Sequence, residues 1–346
     1  MTTRSLPLVT LALLAIGAAA LAGPDDKALD FYWIDTEGGS AVLIVTPRGQ
    51  SMLVDSGNAG DRDLGRILHV VRNVAKLEHI DYHQISHWHG DHFGSTPELA
   101  KKVPINSFID HGPSVEGADF QQRFAWYLAL DRGNSRRIWK PGDKLKLPGA
   151  DDGPAVEITC VCAHGQVLPN KDGSQPTKDG CDKHPAQPED KSDNAQSIGY
   201  TLKFGDFDFF AGGDLTWNIE HRLVCPENKV GTVDVFQVNH HGLANSNNPA
   251  LVHAIAPTVA VINSGPRKGA ELAVLQTLRK SPGIEAIFQV HRNVRIADAD
   301  NAPTEYIANH DEACQGDYVW LKVAADGKSY TVAAGAAGKK FRFPAK

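Results

Sequence analysis

The alternation of apolar and polar positions divides the chain into short strand-like runs and a few amphipathic helices. Three apolar runs, at 29–35, 40–47 and 51–57, are separated by glycine-rich or Pro-Arg-Gly turns, which predicts a β-meander. In the next segment, 61–77, apolar residues recur at helical spacing, and residues 80–86 again resemble a strand. The predicted order is therefore three strands, a helix and a fourth strand.

Strand and helix patterns continue to alternate through the rest of the chain, which predicts a mixed α/β fold. Polar residues with several Gly, Pro, Lys and Asp fill residues 166–193, and we expect a long surface insertion there. The predicted strands are 105–112, 155–165, 234–242, 258–265 and 285–291, with hairpins at 197–214 and 317–335 and helices at 120–131, 248–255 and 271–279.

The first 22 residues have the composition of a secretory signal peptide. Arg4 precedes an apolar run that begins at Leu6, and the small residues Ala20 and Ala22 form an A-x-A-like cleavage site. A membrane anchor is the alternative, but the run is short for a span of about 20 apolar residues. We expect cleavage after Ala22, a secreted or periplasmic protein without a membrane span, and a single domain over 23–346.

The composition is that of an ordinary globular protein. Of the 346 residues, 42 % are hydrophobic and 22 % charged, so neither disorder nor a fibrous repeat is indicated. Removal of the signal segment takes Arg4 and no acidic residue, which leaves 34 basic against 41 acidic residues and a formal net charge of −7. Such an acidic protein is a poor non-specific binder of nucleic acid.

Five cysteines would enter an oxidising compartment if the signal prediction holds. At most two disulfides can form among Cys160, Cys162, Cys181, Cys225 and Cys314. Strand alternation places Cys160 and Cys162 on one face, and Cys181 lies in the polar loop within reach of either. Buried free thiols are the alternative, and no Cys-x-x-Cys pair indicates a structural zinc site.

The candidate chemistry lies in QISHWHGDHFG, residues 84–94, directly after a predicted strand. An apolar core does not tolerate three histidines and an aspartate without partners. His87 and His89 can point to one ion, while Asp91 and His92 reach a neighbouring ion. Imidazole and carboxylate ligands suit Zn²⁺, and also iron or manganese.

These residues resemble the His-x-His-x-Asp-His signature of the metallo-β-lactamase superfamily. Three further motifs of that superfamily follow the same order: LVDSG at Asp55, FFAGGD at Asp214 and VNHHG at His240 and His241. The resemblance implies an αββα sandwich of two mixed β-sheets flanked by helices. It also implies two divalent ions, Zn²⁺ or alternatively Mn²⁺ or Fe²⁺, with Asp214 bridging them and Asp55 orienting the metal-binding loop.

The branch resembled, over residues 29–295, contains ComEC-like domains and secreted phosphorylcholine-esterase-like enzymes. FYWIDTEGGSAVLI, DNAQSIGYTL and HHG carry this narrower similarity. His241 is the expected ligand and His240 a catalytic or substrate contact, although the reverse assignment stays open. His164, where relatives carry a third histidine, is either a ligand or an ordinary loop histidine.

Weaker candidates for substrate binding are a set of polar and basic residues near the predicted site. His291 ends a strand that could point into the same cleft, and the GPRKG turn could bind an anion. The set is Asn194, Ser197, His291, Arg267 and Lys268.

The resemblance implies a metallo-hydrolase acting on a small-molecule phosphodiester or phosphate ester. A hydroxide bridging the two ions would be the nucleophile, and Asp91 would orient it or take a proton. The alternatives are a ComEC-like nuclease, a lactone or β-lactam hydrolase, and a non-catalytic binding module on the same fold. The sequence does not determine the oligomeric state.

Overall fold

The computed structural model describes residues 26–117, 122, 125–129, 135–151, 153–171 and 181–346. The predicted signal segment, residues 1–22, lies outside the described residues. Parts of the predicted helix at 120–131 and of the predicted insertion at 166–193 also lie outside them.

Among the described residues, nine strands form the first sheet. Numbered in chain order, they are β1 Leu29–Trp33, β2 Val42–Val45, β3 Ser51–Val54, β4 Ile80–Gln84, β5 Ile105–Asp110, β6 Ser135–Ile138, β16 Val319–Val323, β17 Ser329–Ala334 and β18 Phe341–Pro344. Their spatial order is β18-β17-β16-β1-β2-β3-β4-β5-β6. Pairing is antiparallel from β18 to β3 and parallel from β3 to β6, so the sheet is mixed.

The second sheet is also mixed. Its described strands are β7 Lys144–Leu147, β8 Val156–Ala163, β9 Gln166–Val167, β10 Gly199–Phe204, β11 Phe207–Ala211, β12 Val235–Gln237, β13 Val259–Ile262, β14 Ala286–His291 and β15 Ile307–Asn309. The order is β15-β14-β13-β12-β11-β10-β8-β7, and β9 pairs with β8. Strands β11 to β15 are parallel, whereas β7, β8, β10 and β11 are antiparallel.

Helices cover the outer face of each sheet. The bounds are α1 Asp61–His69, which continues as a π-helical turn over Val70–Val74, α2 Gly90–Phe93, α3 Thr96–Lys102, α4 Trp217–Val224, α5 Pro249–Ile255 and α6 Leu272–Arg279. Apolar residues of α1 and α3 pack on the first sheet, and those of α4, α5 and α6 pack on the second. No helix within the described part of the chain is long and apolar enough to span a membrane.

The main hydrophobic core lies between the two sheets. Phe31 of β1 contacts Phe209 of β11 with ring centroids 4.9 Å apart, and both side chains are fully buried. Burial of large apolar side chains on both inner faces, at roughly 25 cal/mol per Å², is what drives the sheets together. The result is four layers, helix, sheet, sheet and helix, which confirms the predicted αββα architecture.

Two expectations about the cysteines need correction. A β-bulge opposite Gly199 and Tyr200 breaks the alternation of β8, so Cys160 faces the inter-sheet core while Cys162 packs among the outer helices. The disulfide joins Cys181 to Cys225, at the end of α4, instead of reaching β8. Sequence spacing cannot reveal this pairing, because α4 folds back toward the polar loop only in three dimensions.

Loops at the carboxyl ends of the parallel strands carry the chemistry. Asp55 follows β3, the histidine motif follows β4, Asp214 follows β11, and His240 follows β12. These loops of the two sheets meet at one edge of the sandwich, since His92 contacts His241 across it. Ligands commonly bind outside the carboxyl ends of strands in α/β proteins.

Candidate metal centre

The histidine motif forms a tight loop between β4 and α2 that is anchored by Trp88. This buried indole donates from Nε1 to the carbonyl of Gly112 at 2.9 Å, and its backbone N–H donates to Asp193 at 2.7 Å. With Trp88 held inside the protein, the flanking imidazoles lie together. The ring centroid of His87 is 4.7 Å from that of His89 and 4.1 Å from that of His92.

Four potential ligands converge where the two sheets meet: Asp91, His92, Asp214 and His241, here called the four-ligand cluster. Oδ2 of Asp214 lies 3.2 Å from Nε2 of His92 and 3.3 Å from Nε2 of His241. Oδ2 of Asp91 is 3.3 Å from Nε2 of His241. Donors bound tetrahedrally to zinc at about 2.0–2.1 Å would be about 3.3 Å apart, so this spacing fits one divalent ion.

His87 extends the arrangement toward a second position. Its Nε2 is 3.9 Å from Oδ2 of Asp214, and this buried nitrogen has no hydrogen-bond partner among the described residues. A buried imidazole nitrogen without a partner is costly unless it binds an ion or water. Asp214 therefore lies within 4 Å of His87 as well as of His92 and His241, as a carboxylate bridging two ions would.

Two other predicted ligands, His89 and His164, are not part of the four-ligand cluster. Nε2 of His89 is 2.9 Å from Oε1 of Glu116, an acceptor that no sequence motif indicates. His164 follows β8 as expected, but its ring lies 6.1 Å from that of His111, and it is not part of the four-ligand cluster. Its role as a ligand stays a prediction.

The electrostatic environment of the four-ligand cluster favours a positive charge. Burial alone would lower the pKa of His92, but Asp214, Asp55 and Asp91 raise it well above its ordinary value. For Asp214, burial acts to raise the pKa, and His241 and His92 outweigh it and hold the pKa well below the usual range. Three carboxylates around two imidazoles thus favour a bound cation.

Asp55 and a serine fix the orientation of the loop. Oδ1 of Asp55 accepts the N–H of Ser86 at 2.7 Å, and Oδ2 accepts the Ser86 hydroxyl at 2.8 Å. Gly213, with φ +59°, packs closely on both Ser86 and Ser197, because a Cβ there would lie 3.0 Å from the Ser86 Cβ. This close approach brings Asp214 beside the histidine loop.

His240 and His241 both have left-handed backbone conformations, with φ of 50° and 54°. This conformation is unfavourable for a residue with a side chain, so surrounding contacts must hold it. The His240 N–H donates to Gly213 at 2.9 Å, and the His241 carbonyl accepts from Ala270 at 2.8 Å. Nε2 of His240 is 3.5 Å from Asp214, so His241 is in the cluster and His240 lies at its margin.

Glu220 supports this loop from α4. Its buried carboxylate accepts the side-chain amide of Asn239 at 2.6 Å and the backbone N–H groups of Asn247 and Asn248 at 2.9 and 2.8 Å. Burial raises the pKa of Glu220 to about 7 despite these donors. No sequence pattern indicates this role for Glu220, because a glutamate on an amphipathic helix is normally exposed.

The weaker candidates fall into different places. Asn194 and Ser197 lie at the site: Nδ2 of Asn194 is 3.4 Å from Nε2 of His240, and the Ser197 hydroxyl accepts the Asp214 N–H at 3.2 Å. The Lys268 ammonium pairs with Asp91 at the same edge. Arg267 instead pairs with the exposed Glu312 at 2.8 Å.

His291 belongs to a different group, with Asp35 and Cys314. Sequence reasoning also missed His111 and Asp193, which form a fully buried pair 3.2 Å apart behind Trp88. Asp193 is the first residue of the DNAQSIGYTL motif, and this position was the one sequence signal that pointed to it.

A cavity of about 370 Å³ lies between α4 and the polar loop, and none of the four cluster residues lines it. Its lining includes Ala195, directly after Asn194, and Thr216, two residues after Asp214. Glu189 and Asp190 contribute carboxylates to the wall, and Arg222 contributes a guanidinium. A small, partly charged group could therefore bind beside α4, apart from the four-ligand cluster.

Comparison with known families supports the resemblance that the motifs indicate. Residues 34–169 match the family model described as the metallo-beta-lactamase superfamily. This stretch contains Asp55 and the complete histidine motif, and it ends before Asp214. No curated protein matches the chain significantly.

Solved structures with a similar arrangement have little sequence in common with the chain. One described as a metal-dependent hydrolase from Parabacteroides distasonis is 16% identical, with a TM-score of 0.40, over 75% of this chain and 92% of the other. CmlA, a diiron beta-hydroxylase from Streptomyces venezuelae, is 14% identical, with a TM-score of 0.37, over 68% and 44%. A metallo-beta-lactamase from Cronobacter sakazakii is 16% identical, with a TM-score of 0.34, over 59% and 73%.

Proposed function

We propose, on the premise of the superfamily match at residues 34–169, that the whole chain is a metal-dependent hydrolase of phosphodiesters or phosphate esters. The observation that carries the proposal is the four-ligand cluster, with the partnerless Nε2 of His87 3.9 Å from Oδ2 of Asp214. Asp91, His92, Asp214 and His241 would hold one ion, and His87, His89 and Asp214 a second. Zinc fits this donor set, and iron or manganese fits it as well.

Divalent ions in such a centre lower the pKa of water and stabilise the negative charge that develops on a phosphoryl oxygen. The protein's own groups then have distinct tasks. Asp55 orients His92, and Ser197 holds the backbone of Asp214. His240, with Nδ1 hydrogen-bonded to Ser246 at 3.0 Å, keeps Nε2 toward the site for proton transfer or substrate contact.

A small ester is favoured over a nucleic-acid strand by the charge around the centre. Arg267, a possible phosphate contact, is already paired with Glu312. The formal net charge of the full chain, −6, acts in the same direction.

We further propose that the protein acts outside the cytoplasm. The Arg4, Leu-rich, Ala-x-Ala pattern supports this, and the disulfide between Cys181 and Cys225 is typical of an oxidising compartment. Mass spectrometry of protein recovered from the periplasm or medium should find an N-terminus at Gly23. An intact Met1 on cytoplasmic protein would contradict this part of the proposal.

The activity is tested by assaying zinc-loaded protein with bis-p-nitrophenyl phosphate and with single-stranded DNA. An enzyme for a small diester contacts one phosphate, so turnover should respond weakly to moderate salt, whereas a nuclease releases several counterions and weakens steeply. Phosphomonoester, lactone and β-lactam substrates complete the screen. DNA cleavage that is suppressed by salt, without turnover of the small ester, would favour the nuclease instead.

A further inference from the structure

A second group of potential metal ligands lies apart from the four-ligand cluster. Asp35 follows β1, His291 ends β14, and Cys314 lies in the loop between β15 and β16. One ligand atom from each residue lies within 4.8 Å of the other two. Three chemically different ligands from distant parts of the chain thus meet at one point.

The burial and hydrogen bonding of His291 leave one ring nitrogen able to bind a metal. Its side chain is fully buried, and Nδ1 lies 3.0 Å from the carbonyl of Arg292, to which it can donate. Nε2 is then the nitrogen with a free lone pair, and it has no hydrogen-bond partner among the described residues. Metal-bound histidines characteristically donate their other ring N–H to a carbonyl in this way.

The other two ligands are also held in place. Oδ1 of Asp35 accepts the N–H of Glu37 at 2.8 Å, and Oδ2 lies 3.3 Å from Sγ of Cys314. Cys314 is half-buried and takes no part in a disulfide. The thiol and one carboxylate oxygen therefore already face each other, with access from solvent.

Arg66, on α1, contacts both Asp35 and Cys314. Its guanidinium donates to Oδ2 of Asp35 at 3.0 Å and lies 3.5 Å from Sγ of Cys314. Gly316 lets the Cys314 loop pack on this side chain, because a Cβ there would lie 2.0 Å from Nε of Arg66. Arg66 therefore connects α1 to both Asp35 and Cys314.

We propose that Asp35, His291 and Cys314 form a zinc site that is separate from the four-ligand cluster. Carboxylate oxygen, imidazole nitrogen and thiolate sulfur are all ligands that Zn²⁺ accepts, and three protein ligands leave a fourth position for water. Binding releases the thiol proton of Cys314 to solvent as the Zn–S bond forms. The proposal does not depend on hydrolytic activity.

Cobalt(II) titration of metal-free, disulfide-intact protein tests the site. The four-ligand cluster contains no sulfur, so near-ultraviolet thiolate-to-cobalt absorption reports on a cysteine ligand alone. Full-length mature protein should show this band, Cys314→Ser should lose it together with one equivalent of bound cobalt, and His291→Gln should weaken it. Cys160→Ser, which removes a buried free thiol in the inter-sheet core, is the matched control and should keep the band.

A second measurement avoids substitution altogether. Modification of Cys314 by a thiol reagent, followed by peptide mass spectrometry, should slow by at least about tenfold when zinc is added, because a metal-bound thiolate is a poor nucleophile. An unchanged rate, or a cobalt band that persists in Cys314→Ser, would overturn the proposal. The group would then be a hydrogen-bonded thiol only.

Discussion

Oδ2 of Asp55 lies 2.7 Å from Nδ1 of His92, so one buried hydrogen bond fixes which nitrogen of His92 faces the four-ligand cluster. With Nδ1–H donated to the carboxylate, Nε2 presents its lone pair to an ion. The pair joins the end of β3 to α2, so the packing of these two elements determines how His92 is oriented for metal binding.

Replacement of Asp55 by Asn should weaken metal binding without removing a ligand. The Asn amide N–H₂ would face Nδ1 and favour the tautomer of His92 that carries a proton on Nε2. Zinc affinity, measured by competition with a chromophoric chelator, should fall roughly 10- to 100-fold. Asp206→Asn, in the exposed turn between β10 and β11, is the matched control and should leave affinity unchanged. Equal affinities for the two variants would refute the orienting role.

Removal of the shared carboxylate should be more severe. Asp214→Ala takes away the oxygen that lies within 3.5 Å of three imidazoles, so we expect loss of bound metal and of hydrolysis. Metal content by atomic emission, with folding checked by circular dichroism, measures the effect. Full occupancy in the double variant His87→Ala with Asp214→Ala would contradict the ligand assignment.

The disulfide between Cys181 and Cys225 should stabilise the protein, because it links residues 44 positions apart in the sequence. Closing a loop of that length reduces the entropy of the unfolded chain by up to about 4 kcal/mol at 25 °C, and measured values are commonly about 2–4 kcal/mol. The double variant Cys181→Ser with Cys225→Ser should lose that much free energy of unfolding in denaturant titrations. Reducing agent should destabilise the unmodified protein similarly and leave the double variant unaffected; sensitivity of the variant would point to another cause.

The buried carboxyl group of Asp30 should make the free energy of unfolding depend on pH. Burial raises its pKa from 3.8 to about 7, although Lys322 opposes the shift. A folded-state pKa above the unfolded value means that the protonated form stabilises the fold below about pH 4 and that this stability is lost as pH rises toward 7.

Asp30→Asn should therefore gain stability relative to the unmodified protein between about pH 5 and pH 8, by on the order of 1–2 kcal/mol. Unfolding free energies of both proteins at several pH values measure this difference. Asp206→Asn should show no such trend. A constant difference across the range would show that Asp30 does not titrate as a buried acid.

The sequence predicted those parts of the site that depend on local spacing. His87, His89, Asp91 and His92 lie within one loop, so a short motif identifies them, and strand-ending turns identified Asp214 and His241. The alternation of strands and helices predicted a mixed α/β fold, and the family resemblance of these motifs implied the αββα architecture.

Contacts between distant segments could not be predicted in the same way. Glu116 approaches His89 from the loop after β5, and Glu220 reaches the His240–His241 turn from α4. The pairing of Cys181 with Cys225 and the bulge in β8 also depend on how elements pack, not on residue spacing. Single-sequence patterns carry no information on such pairs.

The division of ligands between the two sheets has a consequence for assembly. Asp91 and His92 follow a strand of the first sheet, whereas Asp214 and His241 follow strands of the second. An ion held by all four would act as a removable cross-link between the two halves of the sandwich, and neither half alone would possess the complete site. Metal supply would then affect the stability of the fold: free zinc at 100 times its dissociation constant adds about 2.7 kcal/mol to the stability of the docked state.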